Sequence, residues 1–155
     1  MKEEFPDAEF HIVGYIDGGP DDVSQDELDR WQENGITFWG KQQDIRSAMR
    51  AASIYVLPSY REGTPRSVLE AMSMGRPIIT TDAPGCRETI VDGTSGYLVP
   101  VRDTQALTER MRELISNKAL RAKMGQESYK RATVKYEVHA VNADLISHIG
   151  FAQDI

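Results

Sequence analysis

The chain has 155 residues, 40% hydrophobic and 27% charged, with a formal net charge of -6 and a pI near 5.1. That is enough for one domain with a fair core, and too acidic for a nucleic-acid groove or a polybasic membrane patch. The single cysteine, Cys86, has no partner for an internal disulfide, no apolar run approaches the ~20 residues that span a bilayer, and no signal peptide opens the chain, so a protein of the reducing cytoplasm is expected.

Met1–Asp7 is charged and reads as the frayed end of a helix. Glu9–Ile16 reads as a strand running into Gly14, with Gly18, Gly19 and Pro20 as breaks after it. Asp22–Asn34 is an acidic amphipathic helix with Val23, Leu28 and Trp31 as its apolar positions, ended by Asn34 and Gly35. Ile36–Gly40 predicts a second strand and Lys41–Ala51 a second helix.

The apolar run Ala52–Leu57, stopped by Pro58, predicts a third, buried strand. The loop Ser59–Thr64 comes next, with Gly63 free to take φ > 0 and to let a ligand near the backbone. Thr64 as N-cap and Pro65 as first helical residue open a helix that runs to Met74 and is stopped by Gly75 and Pro77. Ile78–Thr81 is the next strand. Downstream, Gly85–Val91 predicts a short helical turn with Asp92-Gly93 as its exit, and Tyr97–Val99 a last strand closed by Pro100. Thr104–Ser116, Arg121–Lys135 and Val138–Ile149 are helical patterns, the first with Leu107, Met111, Leu114 and Ile115 on one face. Strands apolar on both faces, alternating with helices, predict a three-layer α/β/α Rossmann-like domain with a mainly parallel sheet. Its ligand edge lies at the strands' carboxyl ends, at Gly14, Gly40, Ser59–Pro65 and Asp82–Gly85.

Candidate chemistry gathers between Pro58 and Asp82. Glu62 sits in the loop and Glu70 in the helix after it, flanking a helix N-terminus whose amides, at about Arg66, Ser67 and Val68, are orphan donors. That end of a helix suits a phosphate, and carboxylates on either side suit hydroxyls, as in a nucleotide-sugar. The bland reading makes both acids solvated surface residues. Arg61 and Arg66 offset the charge of a diphosphate, or pair with Glu62 and Glu70. Gly14-Tyr-Ile-Asp-Gly-Gly lacks the spacing of a dinucleotide or Walker loop and reads as a tight turn. His11 reads as a satisfied core histidine; His139 and His148 have no carboxylate that completes a metal site. Cys86 follows Gly85 at a helix start but has no histidine partner for nucleophilic catalysis, and no Gly-x-Ser-x-Gly is present.

Glu62-Gly63-x-Pro65-x4-Glu70-Ala71 followed by Gly75-x-Pro77 resembles the E-x7-E signature of retaining glycosyltransferases of the GT-B fold, the glycosyl transferases of group 1 or family 4. Gly85–Val99 matches that family's small helix, turn and strand, and the likeness runs from about Pro6 to Tyr136. The resemblance implies that the chain is the donor-binding, C-terminal part of such an enzyme, lacking the acceptor domain and the Gly-Arg-Leu turn and lysine that open this one. It implies that Glu62 lies by the donor sugar, that Glu70 binds the ribose hydroxyls, that the loop Gly63, Thr64, Pro65 with Arg66, Ser67 and Val68 holds the nucleotide, that a turn at Gly14 borders the donor cleft, and that Gly40 and Lys41 meet the base. It implies a UDP- or GDP-sugar donor, no metal and no cofactor, and a retaining hexosyl transfer to a glycan or lipid-linked acceptor in surface polysaccharide assembly. Acceptor and any peripheral membrane contact fall to the missing domain. The isolated chain, a single partial domain over 1–155, is expected to be inactive. The rival readings are a non-catalytic nucleotide or sugar-phosphate binding module of the same fold, and a pure interaction domain.

Overall fold

A computed structural model describes residues 1–16, 19 and 23–149, side chains 140, 148 and 149 excepted; the breaks expected at Gly18 and Pro20 and the helix start at Asp22 lie outside them. The chain divides into two compact units, residues 1–51 and 52–155.

In the first unit β1 (Phe10–Ile12) pairs in parallel with β2 (Ile36–Phe38), Phe10 opposite Ile36 and Ile12 opposite Phe38. Both strands are shorter than predicted, but the pairing carries on: Trp39 N–H donates to the Ile12 carbonyl at 2.9 Å and Gly14 N–H to Gly40 at 3.2 Å. Helix α1 (Gln25–Glu33) joins them. It starts at Ser24 because Ser24 accepts the Glu27 N–H while Glu27 accepts the Ser24 N–H, the reciprocal pair of a capping box. It stops where Gly35 turns left-handed, at φ 81. Helix α2 (Arg46–Ala51) is about half its predicted length. Asp44 takes the Arg46 N–H at 3.0 Å and grips the guanidinium at 2.7 Å, so the first turn is capped there and residues 41–45 remain loop. Met1–Asp7 forms turns and no helix, with the Lys2 ammonium bonded to the carbonyls of Pro6 and Ala8.

The second unit holds a parallel sheet in the order β3 (Tyr55–Leu57), β4 (Ile78–Thr81), β5 (Gly96–Val99). All four residues of β4 are buried, so this sheet is covered on both faces, as its apolar sequence requires. Ile79 packs with Tyr97, Val99, Leu114 and Met124 on one side. Ile78, pointing the opposite way by strand alternation, is left to the face on which α3 (Arg66–Ser73) buries Val68, Ala71 and Met72 completely. Gly96 lets β5 lie against β4 closely: a Cβ there would stand 2.0 Å from the Ile78 carbonyl oxygen.

Helices α4 (Thr104–Ser116), α5 (Lys118–Lys135) and α6 (Val138–Ile149) complete the chain's described elements. Asn117 ends α4 and begins α5, its side chain accepting the Leu120 N–H at 2.9 Å; that cap is why α5 opens three residues before the predicted Arg121. Gly125 in α5 meets Gly75 at the end of α3 backbone to backbone: a Cβ on Gly125 would lie 2.2 Å from the Gly75 oxygen. Residues 84–89 form a succession of tight turns in place of the predicted helical turn, closed by bonds such as Thr89 N–H to Cys86 at 3.0 Å.

Candidate functional site

The loop between β3 and α3 is held at four points. Thr81, last in β4, donates its hydroxyl to the Ser59 carbonyl. The Tyr60 ring lies under the Arg102 guanidinium, 5.0 Å from carbon to ring centre. Glu62 N–H donates to the Pro84 carbonyl at 3.2 Å. Gly85, left-handed at φ 84, fits beneath: a Cβ there would fall 1.8 Å from the Gly63 oxygen and 2.2 Å from the Glu62 oxygen. Gly85 is fixed in turn by the Glu88 carboxylate, which takes its N–H at 2.8 Å. The loop carrying Glu62 is therefore set by the ends of neighbouring segments.

Gly63 does not use a positive φ as expected; what it supplies is open space, with nothing within 4 Å of where a Cβ would stand. The start of α3 also differs. Pro65, buried and extended (ψ 111), is the N-cap, not the first helical residue, and Thr64 makes no cap bond. The Pro65 carbonyl takes the N–H of Val68 at 3.0 Å and of Leu69 at 3.3 Å. Val68, whose side chain is wholly buried, is thus not an orphan donor, and the outward amides reduce to Arg66 and Ser67.

Glu62 is half-buried and Glu70, fifth residue of α3, is exposed. Both bear on one group. Burial pushes the Tyr55 hydroxyl up from the usual tyrosine range, a hydrogen bond with Ser67 draws it back, and the charges of Glu70 and Glu62 raise it further. The charges of both acids are thus felt at the tyrosine of β3. Sequence reasoning missed Tyr55, because a tyrosine in an apolar strand reads as core; it put Asp82–Gly85 at the ligand edge but missed the seat of the Glu62 loop on Pro84 and Gly85, because that contact is not local. Arg61 and Arg66 are exposed, and among the described residues neither forms an ion pair with Glu62 or Glu70. Asp82 is occupied by Arg87, at 2.8 Å.

In the first unit Gly40 is left-handed at φ 64 and, like Gly14, has open space where a Cβ would stand. The Lys41 ammonium lies 4.8 Å from the centre of the Tyr15 ring. His11 is satisfied but not core: at the surface, it accepts the Trp39 indole N–H on Nδ1 at 2.9 Å and meets Glu9 through Nε2 at 3.1 Å. Cys86 is fully buried, in a turn and not at a helix start, which removes it as a nucleophile. Among the described residues no three His, Cys, Asp or Glu stand close enough to hold a metal ion, and no helix is long and apolar enough to cross a membrane.

Residues 1–117 match the model of the family described as glycosyl transferases group 1. The chain belongs to this family. EpsD of Bacillus subtilis, named for a glycosyltransferase, is 32% identical over 150 residues, 95% of the chain and 39% of EpsD. The N,N'-diacetylbacillosaminyl-diphospho-undecaprenol alpha-1,3-N-acetylgalactosaminyltransferase of Campylobacter jejuni is 31% identical over 81% of the chain and 32% of its own length. The group 1 chain thus spans 32% to 39% of these relatives' lengths. Among solved structures, the C-terminal domain of LpcC from Francisella tularensis superposes with a TM-score of 0.78 at 32% identity, over 88% of the chain and 74% of that domain. HepE of Anabaena, solved with UDP, gives 0.81 at 23% identity over 93% of the chain and 41% of HepE. The fold is the Rossmann-like α/β domain of GT-B glycosyltransferases.

Proposed function

We propose that this group 1 chain is the donor-binding part of a retaining hexosyltransferase that moves a sugar from a nucleoside diphosphate to a glycan or lipid-linked acceptor in surface polysaccharide assembly. The observation that carries the reading is the Glu62 loop seated on the Gly85 turn, followed by the open amides of Arg66 and Ser67 at the start of α3 and by the exposed Glu70 on that helix. Glu70 takes the ribose hydroxyls. The amides of Arg66 and Ser67, with the Arg66 guanidinium, meet the diphosphate, and Gly63, Thr64 and Pro65 let it approach. Glu62 lies by the reacting carbon of the sugar. In the first unit Gly14, Gly40 and Lys41 are assigned to nucleotide contact. A uridine nucleotide is favoured because HepE, similar in fold, was solved with UDP and with UDP and glucose. The acceptor class rests on the undecaprenol-linked name of the Campylobacter relative.

As positive charge develops at the sugar carbon, a fixed carboxylate beside it is worth more in the transition state than in the ground state. The departing diphosphate gains negative charge in the same step, which the helix-end amides and Arg66 receive. Glu62→Ala in the full-length enzyme should therefore leave nucleoside diphosphate affinity nearly intact, by calorimetry, while turnover collapses. Equal losses in both would make Glu62 a general binding residue and sink the assignment.

A further inference from the structure

Arg102 departs from the backbone of every other described residue with a side chain: it alone among these has a positive φ, 65. The left-handed region crowds a Cβ against the following carbonyl; Arg102 holds it as the third residue of a turn closed by the Asp103 N–H on the Pro100 carbonyl at 3.2 Å. Residues held this way persist when the surrounding structure over-determines them. Here the geometry delivers the guanidinium onto the face of Tyr60, in a loop that follows β3, while Arg102 itself follows β5. Tyr60 is 64% exposed, so the ring is not held by core packing. It lies between Ser59, bonded to Thr81, and Glu62, bonded to Pro84. The first tie comes from β4, the second from the turn after it, and the third from the turn after β5.

We propose that Arg102 is a positioning residue that holds the Glu62 loop through Tyr60. Its own guanidinium is spent on the ring, and what it sets is the fraction of time the loop stands in its bonded form. The consequence for transfer rests on the reading that Glu62 lies by the donor sugar.

Hydrogen exchange of the Glu62 amide, followed by NMR on this chain, reads the loop without any substrate. Arg102→Gly removes the crowding and the stack together. It should melt no lower than the parent, while the Glu62 amide exchanges roughly two- to fivefold faster, the factor an exposed cation–π contact supplies. Arg102→Lys keeps a cation over the ring and should restore much of the protection. Tyr60→Ala should reproduce the effect, and adding Arg102→Gly to it should change nothing further. Unchanged exchange in Arg102→Gly, or additive effects of the two substitutions, would overturn the proposal. In the full-length enzyme, kcat follows the bonded fraction of the loop and should fall only by the part of that fraction that is lost, with the donor KM unmoved. The exchange is read without donor, so its outcome stands apart from that of Glu62→Ala, which alone tests the placement of Glu62 at the reacting carbon.

Discussion

Glu70 stands on the solvent side of α3, where a carboxylate gains nothing for the fold. A hydrogen bond from a ligand hydroxyl to a charged group contributes on the order of 1.5–3 kcal/mol, so Glu70→Gln should weaken donor binding by roughly tenfold or more. Unaltered nucleoside diphosphate affinity by calorimetry, with the variant folded, would remove the role. Gly85 makes a sharper case. Any side chain there meets the Glu62 and Gly63 carbonyls at under 3 Å, so Gly85→Ala must displace the loop and should abolish transfer even if the core survives. Tyr97 illustrates a residue whose role is stability alone. Its hydroxyl donates to Glu113 at 2.7 Å; burial first, then that bond, pushes it up to about 12, and the same bond holds Glu113 below the usual carboxylate range. A raised tyrosine pKa stabilises fully below the unfolded value and loses that stability as pH rises through the folded one. The parent should therefore lose stability between about pH 10 and 12, a slope that Tyr97→Phe should lack in urea titrations. At neutral pH the same variant should cost only ~1 kcal/mol, because Glu113 is partly solvated. At this scale the spacing singles out Glu62 and Glu70 as candidates and strand order in the chain puts Asp82–Gly85 at the ligand edge, whereas the fit of Gly85 beneath the Glu62 loop was not legible, because its partners are distant in sequence.

At the scale of elements, the starts and stops written in local chemistry were readable. Ile78–Thr81, Thr104–Ser116 and Val138–Ile149 fall where periodicity places them. Three misplaced helix boundaries share a cause, a side chain or carbonyl that captures an amide outside the periodic stretch. Asp44 shortened α2, Asn117 lengthened α5, and the Pro65 carbonyl moved the start of α3 by one residue. Gly125 looks like a flaw in the middle of an 18-residue helix, since alanine would raise helix propensity by ~1 kcal/mol. Its contact with Gly75 decides otherwise. A Cβ 2.2 Å from a backbone oxygen forces α5 off α3, and overpacking of that kind costs ~1–3 kcal/mol. Gly125→Ala should therefore lower the urea midpoint despite the better helix former; a raised midpoint would show that α5 slides freely.

For the whole molecule, parallel pairing and the alternation of strands with helices agree with the α/β reading, and the family match agrees with the resemblance to glycosyl transferases of group 1. The division into two compact units was not visible in a sequence whose strands and helices alternate evenly. We predict that the chain folds alone, because caps, stops and apolar faces agree locally with one another, but does not transfer sugar. Catalysis needs donor and acceptor held together, and proximity alone supplies ~7–11 kcal/mol of the barrier. Incubation with a panel of nucleotide-sugars and acceptors, monitoring released nucleoside diphosphate, is the check. Turnover at ~1 per second or faster would mean that the chain already carries both halves of a cleft.

The fully buried Cys86, the chain's single thiol, adjoins Gly85 in the turn beneath Glu62. A thiol reagent reaches it only when that turn lifts away, so its modification is gated by a local opening. Labelling kinetics thus become a clock for the shelf under the site: the ratio of the observed rate to that of an unfolded thiol gives the open fraction directly. A ligand that leans on the Glu62 loop will slow the clock in proportion to its occupancy. The sequence has built a reporter into the one place where donor binding should be felt.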